Sequence, residues 1–446
     1  MKHLIKFIDL FAGTGGMRLA MEQACLESGI ETECVFSSEI DKNACLSYEL
    51  NFGENPYSDI RKIHEFPDFD FLLAGFPCQS FSYAGKRKGF GDTRGTLFFD
   101  VERILNQKKP AYFLLENVRG LITHDKGRTY QTIKEKLEKI GYSVDYLLLN
   151  SSNYDVPQNR VRIYILGVMY GTLKLTLNSD LGAADTHKFK LNMENFQTSL
   201  FEEEKIKPKV VKDILEKNPD SKYTCSPDFT DKLKRIVDYD FAQLDGYRLI
   251  DYRGGKSLHS WELGVKGICT QNEIEFMNLL ISNRRKKVFG THQDGKSLTR
   301  EQIETFYDAK NFNEITSSLI KKGYLSCYDG KYNPVCGNMS FEVFKFLDPE
   351  GISITLTASD SNRLGVIQNN IARRITPREC ARIQGYPDNY KLLDNDNAVY
   401  KQMGNGVSVP VVKAVLLDFM TQNVKKIANK SGLLKAALLV PSYTTL

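Results

Sequence analysis

Between residues 5 and 168, short apolar runs alternate with amphipathic stretches, and this rhythm restricts the fold more than any other feature of the chain. A parallel sheet covered by helices on both faces requires it, because its strands are buried on two sides and its helices on one. Strands are predicted at 5–10, 34–38, 69–74, 111–115, 143–149 and 161–167, with helices at 18–28, 97–107 and 128–140. From about 170 to 370 the rhythm gives way to polar, turn-rich sequence with a basic cluster at Arg284-Arg-Lys-Lys287. A helix pair is predicted within it, at 271–282 and 299–323. Apolar sequence returns near Ser408, and a helix over 411–420 is expected to pack back on the first sheet. The 446 residues suffice for two cores. The expected architecture is an α/β domain, residues 1–170 plus 388–446, split by a mixed-structure domain and its connection at 171–387.

Sixty basic against 55 acidic residues leave a net charge of +5, which tolerates a nucleic-acid partner without demanding one. No apolar run reaches the roughly 18 residues of a membrane helix, and the N-terminus lacks a signal-peptide cleavage pattern, so a cytoplasmic protein that uses no membrane is expected. Nine scattered cysteines without a Cys-x-x-Cys pair favour neither a disulfide framework nor a zinc site, and no metal is expected. Cys78 stands apart from the others because Phe76-Pro-Cys-Gln79 follows an apolar run directly.

Residues Phe7-Ile-Asp-Leu-Phe-Ala-Gly-Thr-Gly-Gly16 lead from a strand into a helix, with Gly13, Gly15 and Gly16 where the backbone must turn tightly. Glu39 ends the second strand 23 residues after Gly16, where a carboxylate can accept both hydroxyls of a ribose. The glycine spacing is not that of a dinucleotide turn, and Asp9 would repel a pyrophosphate. S-adenosylmethionine, which has no phosphate and carries a cationic amino-acid part, suits this acidic setting better than NAD. Asp59 is placed to accept from the adenine amino group.

A Cys78 thiolate is a strong nucleophile, and its attack on C6 of cytosine would turn C5 into an enamine carbon able to take a methyl group. Negative charge then builds at N3 and O2, so an acid is needed at N3. Glu116 in Leu115-Glu-Asn-Val118 ends the next strand and fits that need, while Asn117 braces the turn. Gln158-Asn-Arg-Val-Arg162 supplies Arg160 and Arg162 at i and i+2, on one face of an extended segment, to steady the developing charge. The loop from Ser80 to Gly95 is basic and glycine-rich, as a lid closing over DNA would be, with Lys86, Arg87 and Lys88 near phosphates and Gln79 or Ser82 entering the helix. Chemistry at C5 requires the ring to leave the base stack.

With these motifs in this order, the sequence resembles the cytosine-5 DNA methyltransferases of bacterial restriction-modification systems. The resemblance covers about 1–168 and 371–420, the latter through Arg374-Ile-Thr-Pro-Arg-Glu-Cys-Ala-Arg-Ile-Gln-Gly-Tyr-Pro387 and Tyr400-Lys-Gln-Met-Gly-Asn-Gly-Val407. It implies a Rossmann-like, S-adenosylmethionine-dependent methyltransferase sheet with an inserted target-recognition domain that reads double-stranded DNA. By it, Cys78 is the nucleophile, Glu116 the acid, and Arg160 and Arg162 the supporting cations. Asp9, Phe11, Gly13, Gly15, Gly16, Met17, Glu39, Ile40, Asp59, Pro77, Leu97, Asn405 and Gly406 are the cofactor-binding residues. Met17 stands where many members carry Phe, and Gly406 where many carry Ser. Arg378, Glu379 and Arg382 are structural, and Ile354-Thr-Leu-Thr357 closes the recognition region. Base readers are sought among Arg253, Lys256, His259, Arg284 and Arg285. A monomer paired with a restriction endonuclease is expected. The alternatives are a tRNA cytosine-5 methyltransferase, a silent DNA-binding relative and a nicotinamide-dependent oxidoreductase. The long inserted region, the full set of reacting groups and the glycine spacing weigh against them in turn.

Overall fold

The computed structural model describes residues 4–77, 97–180, 208–252, 254–291, 296–308, 310–335 and 341–424. All six predicted strands are present: β1 (Leu4–Leu10), β2 (Glu31–Ser38), β3 (Phe71–Ala74), β4 (Tyr112–Val118), β5 (Ser143–Asn150) and β6 (Val161–Val168). They form one sheet in the order β2-β1-β3-β4-β6-β5. The helices of this region are α1 (Gly16–Ser28), α2 (Lys42–Phe52), α3 (Leu97–Lys108), α4 (Gly120–Thr123) and α5 (Arg128–Ile140). Asp41 starts α2 by accepting from the Asn43 and Ala44 amides. Gly29 ends α1 in the left-handed region, its amide returning to the Cys25 and Leu26 carbonyls.

The sheet is not wholly parallel, which corrects the expectation drawn from the rhythm. Strand β6 runs antiparallel to both β4 and β5, and the remaining pairs are parallel. A parallel crossover needs about a dozen residues or more, usually a helix. The link from Asn150 to Val161 holds only a short 3-10 turn, so β6 doubles back between β4 and β5. The reversal has a functional consequence: the start of β6 meets the carboxyl end of β4, with Arg162 opposite Val118 and Tyr164 opposite Glu116. A parallel β6 would have carried Arg162 to the far edge of the sheet.

Two compact units divide the chain: residues 1–214, 352–361 and 377–446 form the first, and 215–351 with 362–376 the second. In the second lie α6 (Pro227–Val237), β7 (Arg248–Leu249), β8 (Ser257–Leu258), α7 (Gln271–Asn283), β9 (Leu298–Thr299), α8 (Arg300–Glu304), α9 (Phe312–Lys322), β10 (Leu325–Tyr328), β11 (Lys331–Pro334), β12 (Lys345–Leu347), β13 (Leu364–Gln368) and β14 (Ile371–Arg374). They make a five-stranded sheet, β14-β13-β12-β7-β8, and a three-stranded one, β10-β11-β9. The long helix predicted over 299–323 is interrupted between α8 and α9. Ile303 and Phe312 enter the same core cluster. One unbroken helix would point side chains nine positions, or about two and a half turns, apart to opposite faces.

The first unit closes with α10 (Pro377–Ile383), α11 (Asp396–Asn405) and α12 (Val409–Phe419). Helix α12 returns to the sheet as expected, its Phe419 ring meeting Phe71 of β3 and Tyr112 of β4 edge-on. The stretch Asp396–Val424 has the length and apolar composition of a membrane span, and 61% of its most apolar window is buried inside the protein. That burial is what a core helix shows.

Candidate active site

The turn after β1 is held from several sides. Ala12 donates its amide to the Ser38 carbonyl of β2, and Gly15 donates to the Ala12 carbonyl at 2.8 Å. Phe11, Gly13 and Gly15 all take positive φ, 54°, 55° and 79°. A Cβ on Gly15 would stand 2.2 Å from the Phe52 ring, and one on Gly16 2.5 Å from the Tyr386 hydroxyl, so neither position has room for a side chain. Glu39 accepts from the Gly13 amide at 2.8 Å with one oxygen and from the Ile40 and Asp41 amides at 2.7 Å with the other. The carboxylate is thus aimed by the glycine turn before any ligand arrives. Asp9 lies beneath this turn, fully buried, with neither oxygen in a hydrogen bond of good geometry among the described residues. Burial pushes its pKa up to about 8; the Arg18 charge opposes the shift and Glu39 adds to it.

The other expected cofactor residues surround this turn unevenly. Met17 is buried, and its sulfur would lie 3.6 Å from a Cβ on Gly75. Ile40 leaves 61% of its surface open beside Glu39. The Asp59 segment runs alongside Glu39, since the Ser58 amide donates to the Glu39 carbonyl. The Asp59 carboxylate itself is engaged by Arg61 Nε and Nη2 at 2.9 and 2.7 Å, which holds its pKa down. Pro77 ends the first described stretch, and Leu97 opens α3. Asn405 is exposed at the end of α11, and Gly406 caps that helix. A nucleoside fits this setting, which offers it an aimed carboxylate and bare glycines. Among the described residues no group of three or more His, Cys, Asp or Glu side chains is placed to hold a metal.

At the chemical end, Glu116 sits on β4, and its Oε1 lies 3.2 Å from Arg162 Nε. Its Oε2 would lie 3.8 Å from a Cβ on Gly75, three residues before Cys78. Burial pushes the Glu116 carboxyl above the usual carboxylate range, while the Arg162 and Arg160 charges pull it back. Asn117 braces the approach to Cys78 by donating from Nδ2 to the Phe76 carbonyl at 3.2 Å. Cys78 itself, with Gln79, Ser82, Lys86, Arg87 and Lys88 of the expected lid, lies outside the described residues.

Arg160 and Arg162 both act on Glu116 by their charge, but they make different contacts. Arg162 faces Glu116, whereas the buried Arg160 guanidinium donates to the main-chain carbonyls of Leu356 and Gly406, at 3.1 and 2.6 Å. Gln158 is a joint that the sequence reading left without a role. Its amide nitrogen donates to the Ile383 carbonyl and Gln384 Oε1, and its oxygen accepts from the Leu356 amide. The Ile354-Thr-Leu-Thr357 stretch therefore docks on the segment that leads into β6. Gly404 is a second unforeseen requirement, since a Cβ there would stand 2.2 Å from the Thr357 carbonyl carbon. Arg378 donates to the Tyr390 carbonyl, and Arg382 to Asp388 and the Ile214 carbonyl, so both hold the α10 segment. Glu379 is fully buried on α10.

In the second unit, two of the expected base readers are buried. His259 is buried, its ring stacked on Trp261 at 4.5 Å and its Nδ1 against the Ile250 carbonyl at 2.5 Å. Arg284 is buried as well, while Lys256 and Arg285 are exposed and Arg253 lies outside the described residues.

A parallel sheet with one reversed strand, a bare glycine turn and an acidic strand end beside it define a Rossmann-like, S-adenosylmethionine-dependent methyltransferase. The profile of the C-5 cytosine-specific DNA methylases matches residues 5–420, and the chain belongs to that family. It is 63% identical over 423 residues to the type II methyltransferase M.BanI of Aneurinibacillus aneurinilyticus, across 95% of this chain and 97% of that protein. Type II methyltransferase M.HgiCI of Herpetosiphon aurantiacus is 61% identical over 415 residues, across 93% and 97%. Among solved structures, a putative DNA modification methyltransferase encoded within an E. coli prophage superimposes with a TM-score of 0.51 at 20% identity, across 94% of this chain and 99% of that one. The protein is a DNA cytosine-5 methyltransferase that takes its methyl group from S-adenosylmethionine and acts on a flipped cytosine through a covalent adduct.

Proposed function

We propose that Cys78, Glu116 and Arg162 carry the reaction, with Arg160 fixing the strand that presents Arg162. The observation that carries this reading is the placement of Glu116 between Arg162 and Gly75, at the mouth of the segment leading to Cys78. The Cys78 thiolate adds to C6 while Glu116 gives a proton to N3, so that the ring's charge is quenched as it forms. When bound, S-adenosylmethionine supplies an electrophilic methyl group for C5. Loss of the C5 proton to solvent, expulsion of the Cys78 thiolate and return of the N3 proton to the Glu116 carboxylate then restore the aromatic ring and the free enzyme.

Asp9, Phe11, Gly13, Gly15, Gly16, Met17, Glu39, Ile40, Asp59, Pro77, Leu97, Asn405 and Gly406 hold the cofactor in this reading, with Glu39 on the ribose. Glu39→Ala is expected to raise the dissociation constant for S-adenosylmethionine by about 10- to 100-fold, the worth of charged hydrogen bonds. DNA affinity stays unchanged. Parallel titrations check it, and an equal loss of both would count against the assignment. Asp59 Oδ2 accepts only from Arg61 Nη2 among the described residues, which leaves it a lone pair for an adenine amine.

The second compact unit is the target-recognition part, and the enzyme acts as a monomer on DNA in the bacterial cytoplasm, protecting it from a cognate endonuclease. The type II relatives support the last point. Conversion sequencing of DNA from cells expressing the protein is expected to show 5-methylcytosine in a single short motif. The same DNA should resist an endonuclease that cuts that motif. Methylation without a fixed motif would overturn the restriction role, and a dimer on a sizing column would overturn the monomer.

A further inference from the structure

We propose that the Tyr386 hydroxyl is a positioning group for the cofactor, locking the glycine turn to the C-terminal segment that completes the same pocket. The proposal rests on the reading of that turn as the S-adenosylmethionine site.

Tyr386 is buried, and its hydroxyl lies 2.8 Å from Thr14 Oγ1, in the middle of the turn. Tyr390 grips the same residue from the main chain, donating its hydroxyl to the Thr14 carbonyl at 2.5 Å. Thr14 is thus held at side chain and backbone by residues 372 and 376 positions away. The Tyr386 hydroxyl also stands 2.5 Å from the Cβ position of Gly16 and 3.6 Å from that of Gly406. These two glycines come from opposite ends of the chain, so one oxygen spans both halves of the pocket.

The tyrosine is itself firmly held. Its amide donates to the Ala381 carbonyl, its ring lies 4.7 Å from that of Tyr390, and the preceding Gly385 turns at φ 79° where a Cβ would strike Pro410 at 2.2 Å. Next to it, Gln384 donates to the Met403 and Gly406 carbonyls. Such a frame restricts where the hydroxyl can sit, as a distant positioning group requires. Burial pushes the phenol up to about 12, so it keeps its proton throughout the working pH range.

A phenylalanine at 386 keeps the ring and removes the bond, leaving the buried Thr14 hydroxyl without this partner. For the purified full-length enzyme, Tyr386→Phe and Thr14→Val are each expected to raise the KM for S-adenosylmethionine about tenfold. The Kd for S-adenosylhomocysteine, measured by calorimetry, should rise in step, with kcat and DNA affinity within about twofold of wild type. The double variant should be no worse than either single one, because both remove the same bond. Thr14→Ser, which keeps the hydroxyl, should retain the wild-type KM. Unmoved cofactor constants in both single variants would overturn the proposal, as would a joint fall of Tm, kcat and DNA affinity, the mark of a merely structural role. Glu39→Ala separates the two readings. If it also leaves cofactor affinity unchanged, the turn is not the cofactor site; if it weakens binding and Tyr386→Phe does not, the proposal alone fails.

Discussion

Replacing Cys78 with serine is expected to lower methyl transfer by roughly 10³-fold or more, the scale on which removal of a covalent nucleophile acts, and to leave specific DNA binding in place. A thiol is partly ionised near neutral pH and intrinsically nucleophilic, whereas a serine hydroxyl without an adjacent base is neither. The scaffold should not notice the change. The approach to residue 78 is fixed by Phe76, which is buried against Phe98 and held through its carbonyl by Asn117. Binding of duplex DNA, followed by gel shift, therefore serves as the internal control for transfer of a labelled methyl group. Turnover within tenfold of wild type would remove Cys78 from the mechanism, and loss of both activities would show that the residue supports the fold instead.

Strand positions were legible because each is a short apolar run, and the predicted and observed limits agree to within about three residues. Strand direction was not, since alternation is blind to polarity. Connection length carries that information: the ten residues between Asn150 and Val161 contain no crossover helix, which calls for an antiparallel neighbour. Helix α2 went unpredicted although Asp41 caps it. Leu46 and Leu50 are apolar yet 52% and 42% exposed, and they blur the single apolar face that periodicity looks for.

The site shows the same division. The bare glycines were legible because a tight turn dictates them. Positions that serve by distant contact were not. Thr14 and Tyr386 meet across 372 positions, and nothing local to either announces the other. The same holds for Gln158 with Gln384, and for Gly404, whose need for glycine comes from the Thr357 backbone. Charge misleads in the opposite sense. His259 has the donors of a base reader, but folding stacks its ring on Trp261 and sets its Nδ1 against the Ile250 carbonyl.

Glu116→Gln is expected to lower kcat by roughly 10²-fold or more, the scale of general acid catalysis, with little change in DNA affinity. Glutamine matches glutamate in shape and can still donate a hydrogen bond to N3, but it has no proton to give. What the variant loses is proton transfer, so the deficit should appear in kcat rather than in binding. A pH profile gives the sharper test. Burial raises the Glu116 carboxyl above its ordinary value, against the Arg162 and Arg160 charges. The acid form therefore persists at higher pH than for a free glutamate, and the wild-type rate should fall as pH rises through that raised value. The stability contribution has the same sign: it is fully present below the unfolded-state pKa and is lost as pH rises through the folded-state one. Glu116→Gln should lose this alkaline decline together with most of its rate. Removing Arg162, which draws the pKa down, should move the decline to still higher pH. A Gln variant that keeps both the wild-type rate and the wild-type decline would place the acid on another residue.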